Sequence, residues 1–184
     1  MSKIFALYGP SASGKSEIQK ELTRSGLQKI ITATTRPPRQ NELAGVHYIF
    51  MNDLQFEAHA DANHFIEWTR YNGQYYGTLK SSIEEILNNN GSAHIVLDLA
   101  GVLSLKTMYP NTFVIYVGAN IETIKRRLEA RGSSPEEIMK RVKQAEEVEL
   151  SSVYMQYADV VVWNHDGFDF TDTLMKIKKI IALR

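Results

Sequence analysis

Gly9-Pro10-Ser11-Ala12-Ser13-Gly14-Lys15-Ser16 follows a short apolar run, residues 4–8, and opens a segment, 14–23, in which Ile18 and Leu22 stand four apart. The three pieces read as strand, loop and helix. The loop has the spacing G-x-x-x-x-G-K-[ST], and in that context it reads as a phosphate-binding loop. Its glycines let the backbone curl until successive N–H groups face one anion, and the helix N-terminus adds its positive end. Lys15 would then neutralise the β and γ phosphates of a nucleotide, and the Ser16 hydroxyl would ligate Mg²⁺. The competing reading is a glycine-rich turn with a solvated lysine.

Outward from the loop, residues 30–32 read as a short strand. Arg36-Pro37-Pro38-Arg39 reads as a stiff extended loop, because each proline restricts the residue before it. Residues 46–51 and 64–71 read as strands around a helix over 54–62 that Asp53 opens. Asn72-Gly73 reads as a hairpin turn into a strand at 74–78. Residues 81–89 are amphipathic, and Gly91 is expected to end that helix in a left-handed conformation. The second half alternates strands at 94–99, 112–117 and 160–163 with helices near 102–108, 122–130 and 170–182. Ser134-Pro135-Glu136-Glu137 supplies an N-cap, a proline at the first helical position and a capping-box glutamate, so a long helix is expected to run to about Leu150. The pattern predicts one α/β domain over residues 1–184, a P-loop three-layer fold with a central parallel sheet. Its core is expected at 1–31 and 79–184, with a helical lid at about 122–150. Residues 32–78 interrupt the alternation and are expected to form an inserted small α+β subdomain that binds a second ligand.

With 184 residues the chain suffices for one such domain and no second one. Twenty-one basic side chains balance 21 acidic ones, which argues against nucleic acid or a membrane surface as a partner and requires any cationic site to be local. Absence of cysteine excludes disulfides, thiolate catalysis and Cys-based zinc sites. The apolar run at 4–8 is too short for a signal peptide core, and no stretch approaches a membrane span. A cytoplasmic enzyme, monomer or homodimer, is the expectation. His59 and His64, five apart, are expected on different faces and not in a metal site.

Asp98 ends the run Ile95-Val96-Leu97-Asp98, where an acidic residue at the end of a core strand reaches a Mg²⁺ shell, through water, or simply caps a helix. Asp98-Leu99-Ala100-Gly101 also matches the D-x-x-G string of a GTPase, but no N-K-x-D string for reading guanine occurs. Arg36 and Arg39 on their Pro-Pro segment form an anion clamp that a hydrolase would not need and a kinase acceptor phosphate would.

Four further segments make a resemblance specific: Thr32-Ala33-Thr34-Thr35-Arg36-Pro37-Pro38-Arg39, Gly45-Val46-His47-Tyr48, Phe65-Ile66-Glu67-Trp68 and Gly73-Gln74-Tyr75-Tyr76-Gly77-Thr78. Together with the phosphate loop, Arg131-Gly132 and Val162-Trp163-Asn164, the chain resembles the guanylate kinases over almost its whole length. The resemblance implies transfer of the γ-phosphoryl group of ATP to GMP, and to dGMP, with Mg²⁺ accompanying ATP. It implies that Gly9, Pro10, Ser11, Ala12, Ser13, Gly14, Lys15, Ser16 and Asn164 hold ATP, and that Lys15, Arg131 and Arg141 are catalytic. Arg36, Arg39, Tyr48 and Tyr76 would grip the GMP phosphate, a dianion met by two guanidinium forks and two phenols. Glu67 would accept from guanine N1–H and the 2-amino group, with Thr32 and Thr78 beside the base. Tyr48 and Tyr76 also read as core aromatics, and Glu67 as a surface strand residue. Arg126 and Arg127 read as solvated helix residues.

The family usually carries two alternating aspartates after the core strand. By our alignment this chain keeps Asp98 and lacks the second, so base choice is expected to rest on Glu67 with Thr32 and Thr78 alone. The lid is one residue shorter between Arg131 and Arg141, and His165 stands where a second acidic residue is common. Two other functions fit parts of the pattern: a binding module that uses the GMP cleft for an acidic or phosphorylated peptide, and a kinase for another phosphorylated acceptor. The intact Lys15 and Ser16 discriminate against the first.

Overall fold

The computed structural model describes residues 3–71, 73–167 and 169–184. The elements in chain order are β1 (Ile4–Tyr8), α1 (Lys15–Arg24), β2 (Gln28–Lys29), β3 (Ala33–Thr34), β4 (Ile49–Phe50), α2 (Asp53–Asp61), β5 (Phe65–Tyr71), β6 (Gln74–Leu79), α3 (Lys80–Asn88), β7 (Ala93–Val96), α4 (Leu99–Met108), β8 (Phe113–Gly118), α5 (Ile121–Ala130) and α6 (Pro135–Gln144). A π-helical turn (Ala145–Glu149), α7 (Ser152–Met155), β9 (Val160–Trp163) and α8 (Phe170–Ala182) complete the chain.

Five strands form a parallel sheet in the order β2-β7-β1-β8-β9. Every residue of β1 is buried because both faces are covered, which is why the strand reads as an unbroken apolar run. Ile4, Ala6 and Tyr8 pack with Ile83 and Ile86 of α3 and Val102 and Leu105 of α4. Leu7 points the other way, into Ile18 and Leu22 of α1 and Ile177 of α8. The phosphate loop therefore emerges at the carboxyl end of the middle strand, where ligands bind in sheets of this kind.

A second sheet, in the order β4-β3-β6-β5, mixes one parallel pairing with two antiparallel ones. It has its own small core of Ala33, Phe56, Phe65 and Leu79. Phe56 of α2 is the centre of that core, its ring 4.3 Å from Phe65 and 5.0 Å from Tyr75, stacked on both. A register shift between Phe65 and Glu67 sets Glu67 opposite Thr78, the kind of irregularity that re-aims a side chain.

Several boundaries differ from the sequence reading. The strand expected at 30–32 lies on either side of it, as β2 and β3. Only Ile49–Phe50 of the stretch 46–51 is strand, because 43–47 closes a turn in which Val46 and His47 donate to the Leu43 carbonyl. Helix α2 is capped by Asn52 in a reciprocal capping box with Gln55, not by Asp53. At the end of α3 the left-handed residue is Asn90, φ 55°, rather than Gly91. Helix α4 begins three residues before the expected 102, at Leu99, because the Asp98 side chain accepts from the Gly101 N–H. The long helix does reach 149, but only by widening into the π-turn. Helix α7 had no signal beyond Ser151, its cap. Asn72 of the expected hairpin lies outside the described residues. His59 and His64 do not diverge: the chain turns back after α2, and their Nδ1 atoms meet at 3.0 Å.

His94 on β7 is fully buried, with Nε2 3.1 Å from the Thr23 hydroxyl of α1. Burial, then the Lys29 ammonium, holds its pKa down at about 4, although the Leu27 backbone acts in the opposite direction. Below the ordinary histidine value the unfolded chain takes up a proton that the folded one refuses. The stabilisation is therefore complete above about pH 6.5 and is lost as pH falls towards 4, by up to about 3 kcal/mol. Thermal melts between pH 7 and 4 are expected to fall more steeply for the native protein than for His94→Gln.

Candidate functional site

The loop between β1 and α1 keeps its shape through close approaches that only glycine allows. Gly9 has φ 134° and Gly14 φ 99°; a Cβ would overlap the Val117 carbonyl at the first and the Asn164 amide at the second. Lys15 folds back over the loop, its Nζ donating to the carbonyls of Gly9 at 2.7 Å and Pro10 at 2.6 Å. Burial pushes this ammonium down to about 8, the Arg131 charge adding to the effect and Glu149 opposing it. A lysine so poorly solvated gains more from an arriving anion than one in water. Ser13 is buried and Ser16 is exposed at the start of α1.

Around the loop stand residues from far along the chain. Asn164, at the end of β9, is buried; its Nδ2 donates to the Ser13 carbonyl at 2.8 Å and its N–H to the Gly118 carbonyl at 2.8 Å. It clamps the loop as well as bordering a cavity of about 320 Å³ with Gly14, Arg127, Arg131 and Phe170. Arg127 is not solvated as expected. Its guanidinium pairs with Asp166 at 2.9 Å and donates to the Ala12 carbonyl at 3.2 Å, so it ties α5 to the loop. Arg126 is the exposed member of the pair, also on Asp166. Arg131 caps the C-terminus of α5. Arg141 of α6 donates to the Ser11 hydroxyl and holds Glu137 at 2.7 Å, which brings the expected lid down onto the phosphate loop. Above it lies a cavity of about 560 Å³ lined by Ser11, Asp98, Lys140, Arg141 and Glu149 among others.

The second sheet assembles the other half. Arg36 donates from one nitrogen to both Glu42 oxygens, each at 2.8 Å, and from the other to the Pro37 carbonyl at 2.7 Å. Its guanidinium lies 5.5 Å over the Tyr48 ring, and Tyr48 meets Tyr76 edge to face at 6.3 Å. Glu42 also accepts from the Arg39 N–H at 2.9 Å. That backbone bond first, then the Arg36 hydrogen bond and charge, hold the Glu42 carboxyl below the usual range. Arg36, Tyr48 and Tyr76 are thus gathered around the Glu42 carboxylate, to which Arg39 contributes its backbone N–H. The Arg39 side chain itself is exposed.

Glu67 accepts from the Thr78 hydroxyl at 2.6 Å. Burial raises its carboxyl above the usual range, with the Asp98 charge adding and the Thr78 hydroxyl opposing. Glu67 and Asp98 line one cavity of about 360 Å³ with Ile66, Thr69, Gly101 and Ser104. Gly101 leaves room for both: a Cβ there would stand 3.3 Å from each side chain. The Thr32 carbonyl accepts from the Ile49 N–H at 2.8 Å, which fixes the backbone between β2 and β3. The lining of the cavity sets Asp98 beside Glu67. Asp98 is a helix cap, as one reading held, and it borders both this cavity and the one above the phosphate loop.

Three residues of the site escaped the sequence reading. Glu42 had a local signal, since it sits three after Arg39 and closes a turn onto it. Arg127 had none, because its partner Asp166 is 39 residues away. Glu149 is one of three glutamates in Ala145–Glu149, and only the π-turn selects it. Among the described residues no group of three or more His, Cys, Asp or Glu side chains is placed to hold a metal by itself, and no helix is long and apolar enough to cross a membrane.

Comparison with known proteins agrees over the whole length. The family model for guanylate kinase matches residues 1–183. The guanylate kinase of Mycoplasma pneumoniae is 35% identical over 97% of this chain and 75% of its own, and that of Rickettsia typhi 35% identical over 97% and 90%. A crystal structure of guanylate kinase from Anaplasma phagocytophilum shares the fold, with a TM-score of 0.75 at 22% identity over 99% of this chain and 85% of that one. With a phosphate-loop cavity and a Glu67 pocket that share Asp98, a family model matching residues 1–183 and relatives 35% identical over 97% of this chain, the chain belongs to the guanylate kinase family.

Proposed function

We propose that the two adjoining cavities carry the family's reaction, in which the γ-phosphoryl group of ATP passes to GMP and leaves ADP and GDP. The observation that carries this reading is Asp98, which lines both the cavity over the phosphate loop and the one beside Glu67. An anion anchored by Lys15 and a base read by Glu67 thus belong to neighbouring parts of one cleft. Residues 32–78 act as the acceptor subdomain and about 122–150 as the lid of a single domain.

On this reading the backbone N–H groups of residues 9–16 cradle the ATP phosphates. Lys15 releases the loop carbonyls to meet the β and γ phosphates, and Arg131 and Arg141 neutralise charge as the group moves. The adenosine lies towards Asn164 and Phe170. Arg36, Arg39, Tyr48 and Tyr76 hold the GMP phosphate, one oxygen of which attacks the γ phosphorus in line. Glu67 accepts from the donor edge of guanine, with Thr78 fixing Glu67, Thr32 beside the base, and Asp98 at the border towards the phosphates. Arg141 closing on Ser11 keeps water from the reacting phosphorus. The exposed Ser16 hydroxyl and Asp98, few oxygen donors beside a phosphate seat, suit Mg²⁺, which keeps most of its waters. Held there, the ion would supply positive charge to the phosphate oxygens.

Release of ADP from ATP and Mg²⁺ should depend on GMP or dGMP and be far slower with AMP, CMP, UMP or no acceptor. Equal rates without acceptor would sink the reading. Glu42→Ala tests the clamp separately. With Arg36 and the Arg39 backbone unanchored, KM for GMP is expected to rise about tenfold while KM for ATP stays within twofold.

A further inference from the structure

Residues 145–149 carry three glutamates, of which Glu146 and Glu147 are exposed and Glu149 is half-buried. The difference comes from the π-turn, in which the Leu150 N–H donates to the Ala145 carbonyl five residues back at 2.9 Å. The extra residue per turn rotates Glu149 towards the phosphate cavity, and π-turns tend to occur where a side chain must be re-aimed. The Tyr116 hydroxyl, reaching from the core sheet, donates to the Glu149 carbonyl at 2.7 Å and fixes the turn. Glu149 lines the cavity with Ser11, Asp98 and Arg141. Its charge acts on both Lys15 and Arg141, while burial holds its carboxyl above the usual range.

We infer that Glu149 is a positioning residue whose carboxylate serves as the resident counter-charge of the phosphate cavity, facing Lys15 and Arg141 until phosphate displaces it. This rests on reading that cavity as the seat of the ATP phosphates. Lys140 and Arg141 line the cavity; of its carboxylates, Asp98 caps α4 and Glu137 is held by Arg141, while Glu149 is the one whose charge acts on Lys15. Without a carboxylate opposite Lys15 the site would hold any polyphosphate more tightly, ADP included, and release of product limits many enzymes with closing lids. A half-buried carboxylate opposes each bound phosphate by Coulomb repulsion and gives the cations a partner as the product leaves.

The test is the dissociation constant of ADP by titration calorimetry, with divalent metal removed, for the native protein, Glu149→Gln, and Glu149→Gln combined with Arg141→Gln. Glu149→Gln is expected to bind ADP about fivefold more tightly, with a lower KM for ATP and a lower kcat. Much of that gain should vanish when Arg141 is also neutral. A substitution that merely loosened the turn would lower the melting temperature and weaken ADP binding. ADP binding unchanged or weakened in Glu149→Gln overturns the inference, as does a loss confined to Mg²⁺-containing buffer, which would make the carboxylate a servant of the metal's water shell. Native protein that fails to bind ADP at all overturns the cavity reading with it.

Discussion

Lys15→Met is expected to lower kcat/KM by about a thousandfold and leave GMP binding within twofold. The lysine is the one ammonium enclosed by the phosphate loop. It donates to two loop carbonyls and is held down at about 8 by burial. It is therefore preorganised: little solvent must be stripped from it when phosphate arrives, and its full charge returns as the anion binds. Removing one such preorganised donor costs about 10²–10³ in rate where charge develops at the transition state. The change leaves the Gly9 and Pro10 carbonyls without their donor, so the melting temperature should be measured alongside turnover. GMP affinity separates the two explanations. Arg36, Arg39, Tyr48 and Tyr76 lie in the other sheet's territory and should not feel the substitution. Activity above a tenth of native would remove Lys15 from the chemistry.

Glu67→Gln should collapse the preference for GMP over AMP from about 10⁴ to about 10². Guanine presents two adjacent donors, and a carboxylate accepts from both. An amide offers one oxygen and two donors of its own, so one guanine N–H meets another N–H. The pocket is half desolvated, and Glu67 already has Thr78 on one oxygen and the Asp98 charge nearby. An unpaired donor there costs about 1–3 kcal/mol, which is the factor predicted. Turnover with AMP should change little, because adenine never met the requirement. Initial rates with both acceptors at low concentration decide it. Undiminished preference in Glu67→Gln would transfer base reading to Asp98, whose substitution would then show the larger loss.

The phosphate loop and the Arg36-to-Arg39 segment were legible because their chemistry is local. A glycine at φ 134° or two prolines beside two arginines leave the same mark in any chain. Glu42, the carboxylate held by Arg36 and the Arg39 backbone, was nearly as local and went unread only because a carboxylate beside an expected phosphate looks misplaced. Asp98 was legible as a position but not as a partner. Alignment with the family leaves the chain without a second aspartate and pairs Glu67 with Thr32 and Thr78. The register shift in β5 and the early start of α4 also bring Asp98 into the Glu67 cavity.

The amino-acid pattern by itself determined the alternation of core strands and helices, the phosphate-binding loop between β1 and α1, and the stiff Arg36-Pro37-Pro38-Arg39 segment. Each follows from backbone conformation or from apolar periodicity within about fifteen residues. Tertiary structure alone decided that Arg127 braces the loop through Asp166, that Asn164 holds the Ser13 carbonyl, that Glu67 shares its pocket with Asp98, and that Glu149 rather than Glu146 or Glu147 lines the cavity above the loop. These contacts join residues whose separation along the chain carries no periodic signal. Their geometry is set by how the parallel sheet, the second sheet and one π-turn pack, and a difference of one residue per turn reverses which side chain enters the site.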